Sequence, residues 1–262
     1  MTSPMRHPVF DAPKPRRPRA TLPYGTRDSS VYDARPSARA VQCGGVRDVT
    51  LALVHGEFWR AHIDRQHLDA LAQALADDGY HVANVEYART GMPGGGWPGT
   101  GADLLAALAA IRNNPDLPGE VVLVGHSAGG QLGLWAASKE EVTGLSGVVA
   151  LGPVCDLAQA DTLGLGEGAT VAFLGASRES APARWRDADP SRHRLRTPSV
   201  LIVGGRDDRV PPSLAHSYLA SRGEGEARAQ LVELPGCDHF DLIDPRHPTA
   251  YASLLTAIAS LT

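Results

Sequence analysis

The chain has 262 residues, a length that fits one large α/β domain with a sizeable core. Its hydrophobic content of 43% and charged content of 21% are ordinary for a globular protein. The net charge of −4 argues against nucleic acid as a main partner. No apolar run approaches the roughly 20 residues that span a membrane, and the N-terminus lacks the apolar segment of a secretory signal. We therefore predict a protein that associates with neither nucleic acid nor a membrane.

The three cysteines, Cys43, Cys155 and Cys237, are an odd number and favour free thiols in a reducing compartment over a disulfide framework. We accordingly expect a cytoplasmic protein. No group of histidines, cysteines or carboxylates has metal-ligand spacing, and no phosphate-binding or dinucleotide-binding loop is present. The sequence therefore predicts neither a metal site nor a cofactor. It leaves the oligomeric state open, with a homodimer as one alternative.

Two regions differ in composition along the chain. Residues 1–23 are rich in proline and arginine and predict a flexible arm, with a basic binding arm as the alternative. Residues 24–262 alternate between apolar runs of strand length and segments with helical periodicity. Predicted strands lie near residues 30–32, 49–54, 81–87, 121–124, 145–151, 199–203 and 230–234. Predicted helices cover residues 66–78, 103–112, 131–138, 214–219 and 250–261.

This alternation predicts an α/β fold with a mostly parallel sheet and helices on both of its faces. The less regular stretch at about residues 155–196 is expected to form a small cap or lid on that sheet. In such sheets the functional site lies beyond the carboxyl ends of the strands. Polar residues that directly follow strands are therefore the candidates for chemistry.

The clearest candidate is the pentapeptide Gly125-His126-Ser127-Ala128-Gly129, which follows a buried apolar run. It fits the G-x-S-x-G turn that holds a serine hydroxyl above a sheet, at the N-terminus of a helix. The helix dipole favours negative charge at that point. A serine nucleophile also needs a base, an acid that orients the base, and an oxyanion hole.

Two further polar residues follow later strands. Asp207 comes after strand 199–203 and His239 after strand 230–234, and the order Ser, Asp, His is that of an α/β-hydrolase triad. Asp208 is the alternative acid. The alternative bases are His126, His216 and His247.

The motifs resemble those of α/β-hydrolases of the esterase/kynurenine formamidase (arylformamidase) type, from about Tyr24 to the C-terminus. One motif that carries the resemblance is His55-Gly56-Glu57-Phe58-Trp59-Arg60, which is similar to the family's His-Gly-Gly-Phe/Tyr-Trp loop. The other matching stretches are Glu86-Tyr87 and residues 94–100, 125–130, 207–211 and 239–240. It implies a serine hydrolase that cleaves a small ester or activated amide through an acyl-enzyme, for example N-formylkynurenine. It also favours Asp207 over Asp208 as the acid. A general carboxylesterase and a tailoring hydrolase or acyltransferase of secondary metabolism are the alternatives.

The resemblance places the oxyanion hole at the backbone amides of Ala128 and of Glu57 or Phe58. Glu57 departs from the family because it replaces a glycine. A carboxylate about 4 Å from a developing oxyanion costs about 4 kcal/mol at an effective dielectric constant near 20. Three interpretations therefore stay open: the side chain turns away, it binds a cationic group of the substrate, or the hole is impaired. In the last case the chain is a weakly active or non-catalytic binding protein.

Aromatic and imidazole side chains near these motifs are candidates for substrate binding. Trp59, Trp97 and His126 are expected to line an acyl or aryl pocket, together with Phe58. Ordinary core packing is the alternative for each of them.

Overall fold

An eight-stranded sheet forms the centre of this computed structural model, which describes residues 7–11, 15–37, 48–117 and 119–262. Cys43 lies outside the described residues. The strands are β1 (Ala20–Pro23), β2 (Val31–Arg35), β3 (Val49–Val54), β4 (His81–Val85), β5 (Glu120–His126), β6 (Leu145–Leu151), β7 (Ser199–Gly204) and β8 (Ala229–Leu234). Their order in the sheet is β1-β2-β4-β3-β5-β6-β7-β8. β2 is antiparallel to both β1 and β4, and every other pair is parallel.

Eight helices accompany the sheet in the described part of the chain. They are α1 (Asp69–Asp77), α2 (Gly99–Arg112), α3 (Ala128–Ala136), α4 (Leu157–Thr162), α5 (Ala169–Leu174), α6 (Pro182–Ala188), α7 (Ser213–Ala220) and α8 (Pro248–Ala259). None of the helices in this part of the chain is both long and apolar enough to cross a membrane. The predicted α/β architecture, a mostly parallel sheet with flanking helices, is confirmed.

The sheet is covered on both faces, and its central strands β3 and β5 are mostly apolar and buried along almost their whole length. In β3, Leu51 and Leu53 pack with α1 and α8 in one hydrophobic cluster, whereas Ala52 and Val54 belong to a second cluster with α2, α3 and the segment α4–α6. Successive strand residues point to opposite faces, so a strand buried on both sides reads as a continuous apolar run. The core therefore consists of two layers that the sheet separates.

The structure differs from the sequence prediction near the N-terminus. Residues 20–23, assigned to the N-terminal arm, pair with β2 as the edge strand, and residues 8–11 form a 3-10 turn. The sheet thus begins within the predicted arm. The segment at 155–196 contains three short helices, α4 to α6, which lie over the same face as α3.

Helix α3 begins where the ends of β3 and β5 meet, and two glycines allow this close approach. A Cβ on Gly129 would lie 2.0 Å from the Val54 carbonyl oxygen, and one on Gly125 would lie 2.3 Å from the Gly129 carbonyl oxygen. Real Cβ atoms do not come this close to backbone atoms. The first turn of α3 is therefore fixed against the end of β3.

We expect Gly129→Ala to lower the free energy of unfolding by about 3 kcal/mol, the upper end of the range for overpacked sites, because its new methyl group meets backbone that cannot move aside. Gly236→Ala is the matched control, since a Cβ there meets no atom within 4 Å. Denaturant unfolding of the two variants measures the difference. Equal stability of both variants would show that the first turn of α3 does not lie tightly against the end of β3.

Candidate active site

Ser127 joins β5 to α3 in a backbone conformation that L-residues seldom adopt. Its φ is 57° and its ψ is −116°, in the positive-φ region where a Cβ is strained. The residue is 1% exposed, and its Oγ is buried with no hydrogen-bond partner in the described structure. A strained turn therefore holds a hydroxyl that no other described group engages.

A short hydrogen bond joins the two other predicted triad members. Asp207 Oδ2 accepts from His239 Nδ1 at 2.6 Å, and both side chains are almost completely buried. The other carboxylate oxygen, Oδ1, accepts from the backbone amides of Arg209 at 2.9 Å and Val210 at 2.8 Å. Both oxygens of Asp207 are thus held, and one of them fixes the Nδ1-protonated form of His239. Asp208, the alternative acid, is exposed.

The end of β6 brings this pair towards Ser127. The Ser127 amide donates to the Leu151 carbonyl at 2.8 Å, and the next residue, Gly152, has a φ of 51°. A Cβ on Gly152 would lie 3.0 Å from His239 Nδ1 and 3.2 Å from Asp207 Oδ2. A hydrogen bond between the Ser127 hydroxyl and His239 is not formed in this structure. Such bonds often form only when substrate binds.

The alternative bases occupy other environments. His216 lies on α7 with its side chain 58% exposed and faces Glu233 at 3.4 Å. His247 accepts from the Ala250 amide and caps the N-terminus of α8. Neither of the two lies against Asp207. His239 is the histidine that the fold brings to the acid.

His126 holds the loop of His239 rather than facing open solvent. Its Nε2 lies 3.1 Å from the His239 carbonyl oxygen, which can only accept, so Nε2 carries the proton. Its Nδ1 then accepts from His67 Nε2 at 3.4 Å. The rings of His126 and His239 also pack with centroids 4.5 Å apart. Two neutral imidazoles in series thus fix the backbone position of His239.

Burial keeps both of these imidazoles neutral. It lowers the pKa of His67 to about 3, assisted by repulsion from His55, His239 and Arg209. Burial also lowers the pKa of His126, together with repulsion from His239 and His67. Protonation of either ring would place an unpaired positive charge beside His239.

The predicted oxyanion loop runs through three consecutive residues with positive φ. The φ values are 76° at Glu57, 52° at Phe58 and 56° at Trp59. No described residue accepts a hydrogen bond from the backbone amides of Phe58 or Ala128. The amides that the sequence assigns to the oxyanion hole are therefore free to donate to a ligand.

Glu57 is paired with a cation of the same chain. Its Oε1 lies 2.5 Å from Arg209 Nη2, and the Glu57 side chain is only 15% exposed. Arg209 stands two residues after Asp207, and its guanidinium also lies over the rings of Phe240 and Phe58, at 5.2 and 5.9 Å. Of the three interpretations of Glu57, this arrangement favours a side chain that is turned towards another group.

A buried carboxylate, Glu86, holds the base of this loop. Its Oε1 lies 3.1 Å from His55 Nε2, its Oε2 accepts from the Arg65 amide at 3.0 Å, and the hydroxyl of Tyr87 donates to the His55 carbonyl at 2.9 Å. Burial is the largest single influence and raises the pKa of Glu86, but the interactions with His55, the Arg65 amide and Arg89 together outweigh it, and the net pKa is lowered. Glu86 is therefore held as a carboxylate.

The predicted cap segment, about residues 155–196, packs directly on the loop of Glu57, Phe58 and Trp59. The ring of Phe173 in α5 stacks on Trp59 at 4.3 Å, and the Arg60 guanidinium donates to the Gly166 carbonyl. Trp59 Nε1 donates to Gln131 at 3.0 Å, and Trp97 Nε1 donates to Asp187 at 2.8 Å.

Both indoles are thus buried where the cap meets the domain, in the environment expected from ordinary packing. Their predicted contact with substrate stays a prediction. His126 likewise lies in the interior at 1% exposure, and its predicted contact with substrate also stays a prediction.

Outside this site, the described part of the chain holds two groups of side chains with the chemistry of metal ligands: Cys237, Asp241 and His247, and His7, Asp238 and Asp241. The donor atoms within each group lie within 4.8 Å of one another, a proximity that sequence spacing did not predict. Asp241 already accepts from the Asp238 amide at 2.8 Å, and His247 from the Ala250 amide at 3.3 Å. These amides would compete with an ion for the same donor atoms.

Sequence reasoning missed four residues that shape the site: Arg209, His67, Gln131 and Phe173. Of the four, only Arg209 could have been found from the sequence. It is a cation two residues after Asp207, and its charge complements the unexpected carboxylate of Glu57. The other three make contacts between distant segments that no local pattern marks.

Comparison with known families decides the classification. A family model described as "Alpha/beta hydrolase family" matches residues 51–195, more than half of the chain. The chain belongs to the alpha/beta hydrolase family. The match includes the loop of Glu57 and the turn of Ser127, whereas Asp207 and His239 lie beyond it. Comparison with curated proteins finds no match.

Solved structures with the same fold include several esterases. A truncated carbohydrate esterase from gut microbiota aligns with a TM-score of 0.75 at 15% identity, over 90% of this chain and 94% of that one. Esterase B from Lactobacillus rhamnosis aligns with a TM-score of 0.75 at 18% identity, over 97% and 88%. A thermophilic esterase from Thermogutta terrifontis aligns with a TM-score of 0.70 at 17% identity, over 92% of both chains. At these identities the likeness establishes the shared fold.

The neutral state of His67 predicts a pH dependence of stability. Its folded pKa of about 3 lies below the usual histidine pKa of 6.5, so below pH 6.5 the unfolded chain gains a proton that the folded chain excludes. Stability must therefore fall as the pH falls. We expect the free energy of unfolding of His67→Gln to decline less steeply between pH 6 and pH 4, by up to about 1.4 kcal/mol per pH unit.

Denaturant unfolding across this pH range measures the two slopes. His216→Gln, which replaces an exposed histidine, is the control and should keep the slope of the unaltered protein. Parallel slopes for His67→Gln and the unaltered protein would contradict the buried, neutral state of His67.

Proposed function

We propose that this alpha/beta hydrolase is a serine hydrolase that cleaves a small carboxylic ester or activated amide through an acyl-enzyme. The observation that carries the proposal is the buried 2.6 Å hydrogen bond between Asp207 and His239, on loops that converge near the unpartnered hydroxyl of Ser127. A base oriented by an acid, beside a hydroxyl on a strained turn, is the arrangement that activates a serine.

In the proposed reaction each side chain has one role. Because Asp207 engages Nδ1, the free nitrogen of His239 is Nε2, which takes the proton as Ser127 Oγ bonds to the carbonyl carbon. Nε2 then returns that proton to the leaving alcohol or amine as its bond to the carbonyl carbon breaks. Water, deprotonated by the same nitrogen, then bonds to the carbonyl carbon of the ester on Ser127. The bond from that carbon to Ser127 Oγ breaks, Nε2 returns the proton to Oγ, and the acid is released. Asp207 stabilises the imidazolium that forms in each half-reaction.

The negative charge that develops on the carbonyl oxygen requires donors already in place. The amides of Ala128 and Phe58, which donate to no described residue, are the candidates. Ala128 N is also the first amide of α3, where the helix dipole favours an anion. Removal of one such donor costs about 3–4 kcal/mol in other hydrolases.

The finer proposal concerns the acyl group. Ser127 is 1% exposed, and a serine enclosed in this way favours a small acyl group such as formyl or acetyl. The resemblance of the loop and turn motifs to arylformamidases supports N-formylkynurenine as a substrate. A carboxylesterase acting on short acyl esters is the alternative that the same enclosure allows.

Adjacent aspartates provide a sharp test of the hydrolase proposal. We expect Asp207→Asn to lower kcat for p-nitrophenyl acetate by about 10⁴-fold, because an amide favours the wrong imidazole tautomer. Asp208→Asn removes the same charge one residue further on, from an exposed side chain, and should change kcat less than threefold. Steady-state kinetics measures both. Equal effects of the two substitutions, or no activity in the unaltered protein, would contradict the proposal.

The substrate proposal has its own measurement. We express kcat/KM for each substrate relative to that for p-nitrophenyl acetate. On this scale N-formylkynurenine should exceed p-nitrophenyl butyrate, because a formyl group fits the enclosed site better than a butyryl group. A higher kcat/KM with butyrate than with either smaller acyl group would reject the small-acyl assignment and favour a general carboxylesterase.

A further inference from the structure

The carboxylate of Glu57 is expected to oppose catalysis at this site. Glu57 lies in the loop that offers the amide of Phe58, immediately before that residue, and its φ of 76° is a conformation that glycine adopts without strain. A carboxylate in this position opposes the growth of negative charge on a substrate oxygen. Some other feature must compensate for it if the site is active.

Arg209 has the contacts that such a compensation requires. Its guanidinium meets the carboxylate at 2.5 Å, and the Glu57 side chain is largely shielded from water. A charge pair shielded in this way is screened less by solvent and salt than one on the surface. The negative charge of Glu57 is therefore balanced by a cation from a different loop.

The position of Arg209 is itself fixed by the proposed triad. Its backbone amide donates to Asp207 Oδ1 at 2.9 Å, while its guanidinium lies over the Phe240 ring at 5.2 Å. Phe240 directly follows His239 in the chain. The same arginine thus contacts the acid loop through its main chain and the oxyanion loop through its side chain.

We propose that Arg209 is a positioning residue that neutralises the carboxylate of Glu57. The ion pair leaves the loop without an unpaired negative charge, as a glycine at position 57 would because it has no side chain. The inference rests on the proposed hydrolase function. It assigns Arg209 no contact with the substrate. Its effect on the reaction passes through the charge of Glu57, which stands beside the developing oxyanion.

The test is a set of four variants assayed with p-nitrophenyl acetate. Arg209→Met leaves the carboxylate unpaired, and we expect kcat to fall about 10²-fold, comparable to the loss of an oxyanion donor, with KM changed less than threefold. Glu57→Gln in the Arg209→Met background removes the charge but keeps the shape, and should restore kcat to within about threefold of the unaltered protein. Glu57→Gln alone also leaves no unpaired carboxylate in the loop, so its kcat should not show the 10²-fold loss of Arg209→Met.

Arg206→Met is the matched control. Arg206 belongs to the same loop, but its side chain is 66% exposed and lies 3.8 Å from Asp241. It should leave kcat unchanged within about twofold. Thermal unfolding of each variant establishes that it is folded before its kinetics are interpreted.

Two results would overturn the inference while leaving the hydrolase proposal intact. One is an Arg209→Met variant that keeps full activity. The other is a double variant that stays as slow as Arg209→Met, which would show that the side chain acts as a mechanical tether and not through charge. By contrast, an unaltered protein with no esterase activity would count against the proposed function itself.

Discussion

The buried hydrogen bond between Asp207 and His239 is the contact on which the rest of the site depends. It forms because β7 and β8 are adjacent and parallel, so the loops at their carboxyl ends meet at one edge of the sheet. The main chain then fixes the acid through the amides of Arg209 and Val210. With Nδ1 occupied, the chemistry available to the imidazole is confined to Nε2.

Charge balance is the second constraint. Burial keeps His67 and His126 neutral, and the ion pair with Arg209 offsets the carboxylate of Glu57. A low-dielectric site amplifies any unpaired charge, so a glutamate in the proposed oxyanion loop needs such a partner. The loop of Glu57, Phe58 and Trp59 has three positive φ angles in succession. Contacts with Glu86 at one end of the loop and with the cap segment at the other stabilise this strained conformation.

Strand-turn patterns in the sequence were sufficient to predict the sheet, the turn of Ser127 and the chain order of the three triad candidates. These features are local, since the central strands are largely apolar runs, each followed by a polar turn. The edge strand β1 escaped prediction because its four residues are only partly buried and include Pro23. The cap helices α4 to α6 have six or seven residues, too few to show a helical period.

Contacts between distant segments account for the remaining differences. Glu57 and Arg209 are 152 residues apart, and only the folded sheet brings their loops together. The sequence could therefore show that Glu57 was unusual, but not which group it meets. The same holds for His67 and His126, whose hydrogen bond depends on the 3-10 turn before α1 lying against the end of β5.

The most direct measurement of the central claim is covalent labelling with a fluorophosphonate probe, which requires an activated serine but not the natural substrate. The account predicts one phosphonyl group per chain, located on Ser127 by peptide mass spectrometry and absent from Ser127→Ala. A folded protein that remains unlabelled, or a label on another residue, would contradict the assignment of Ser127, Asp207 and His239 to a single reactive site.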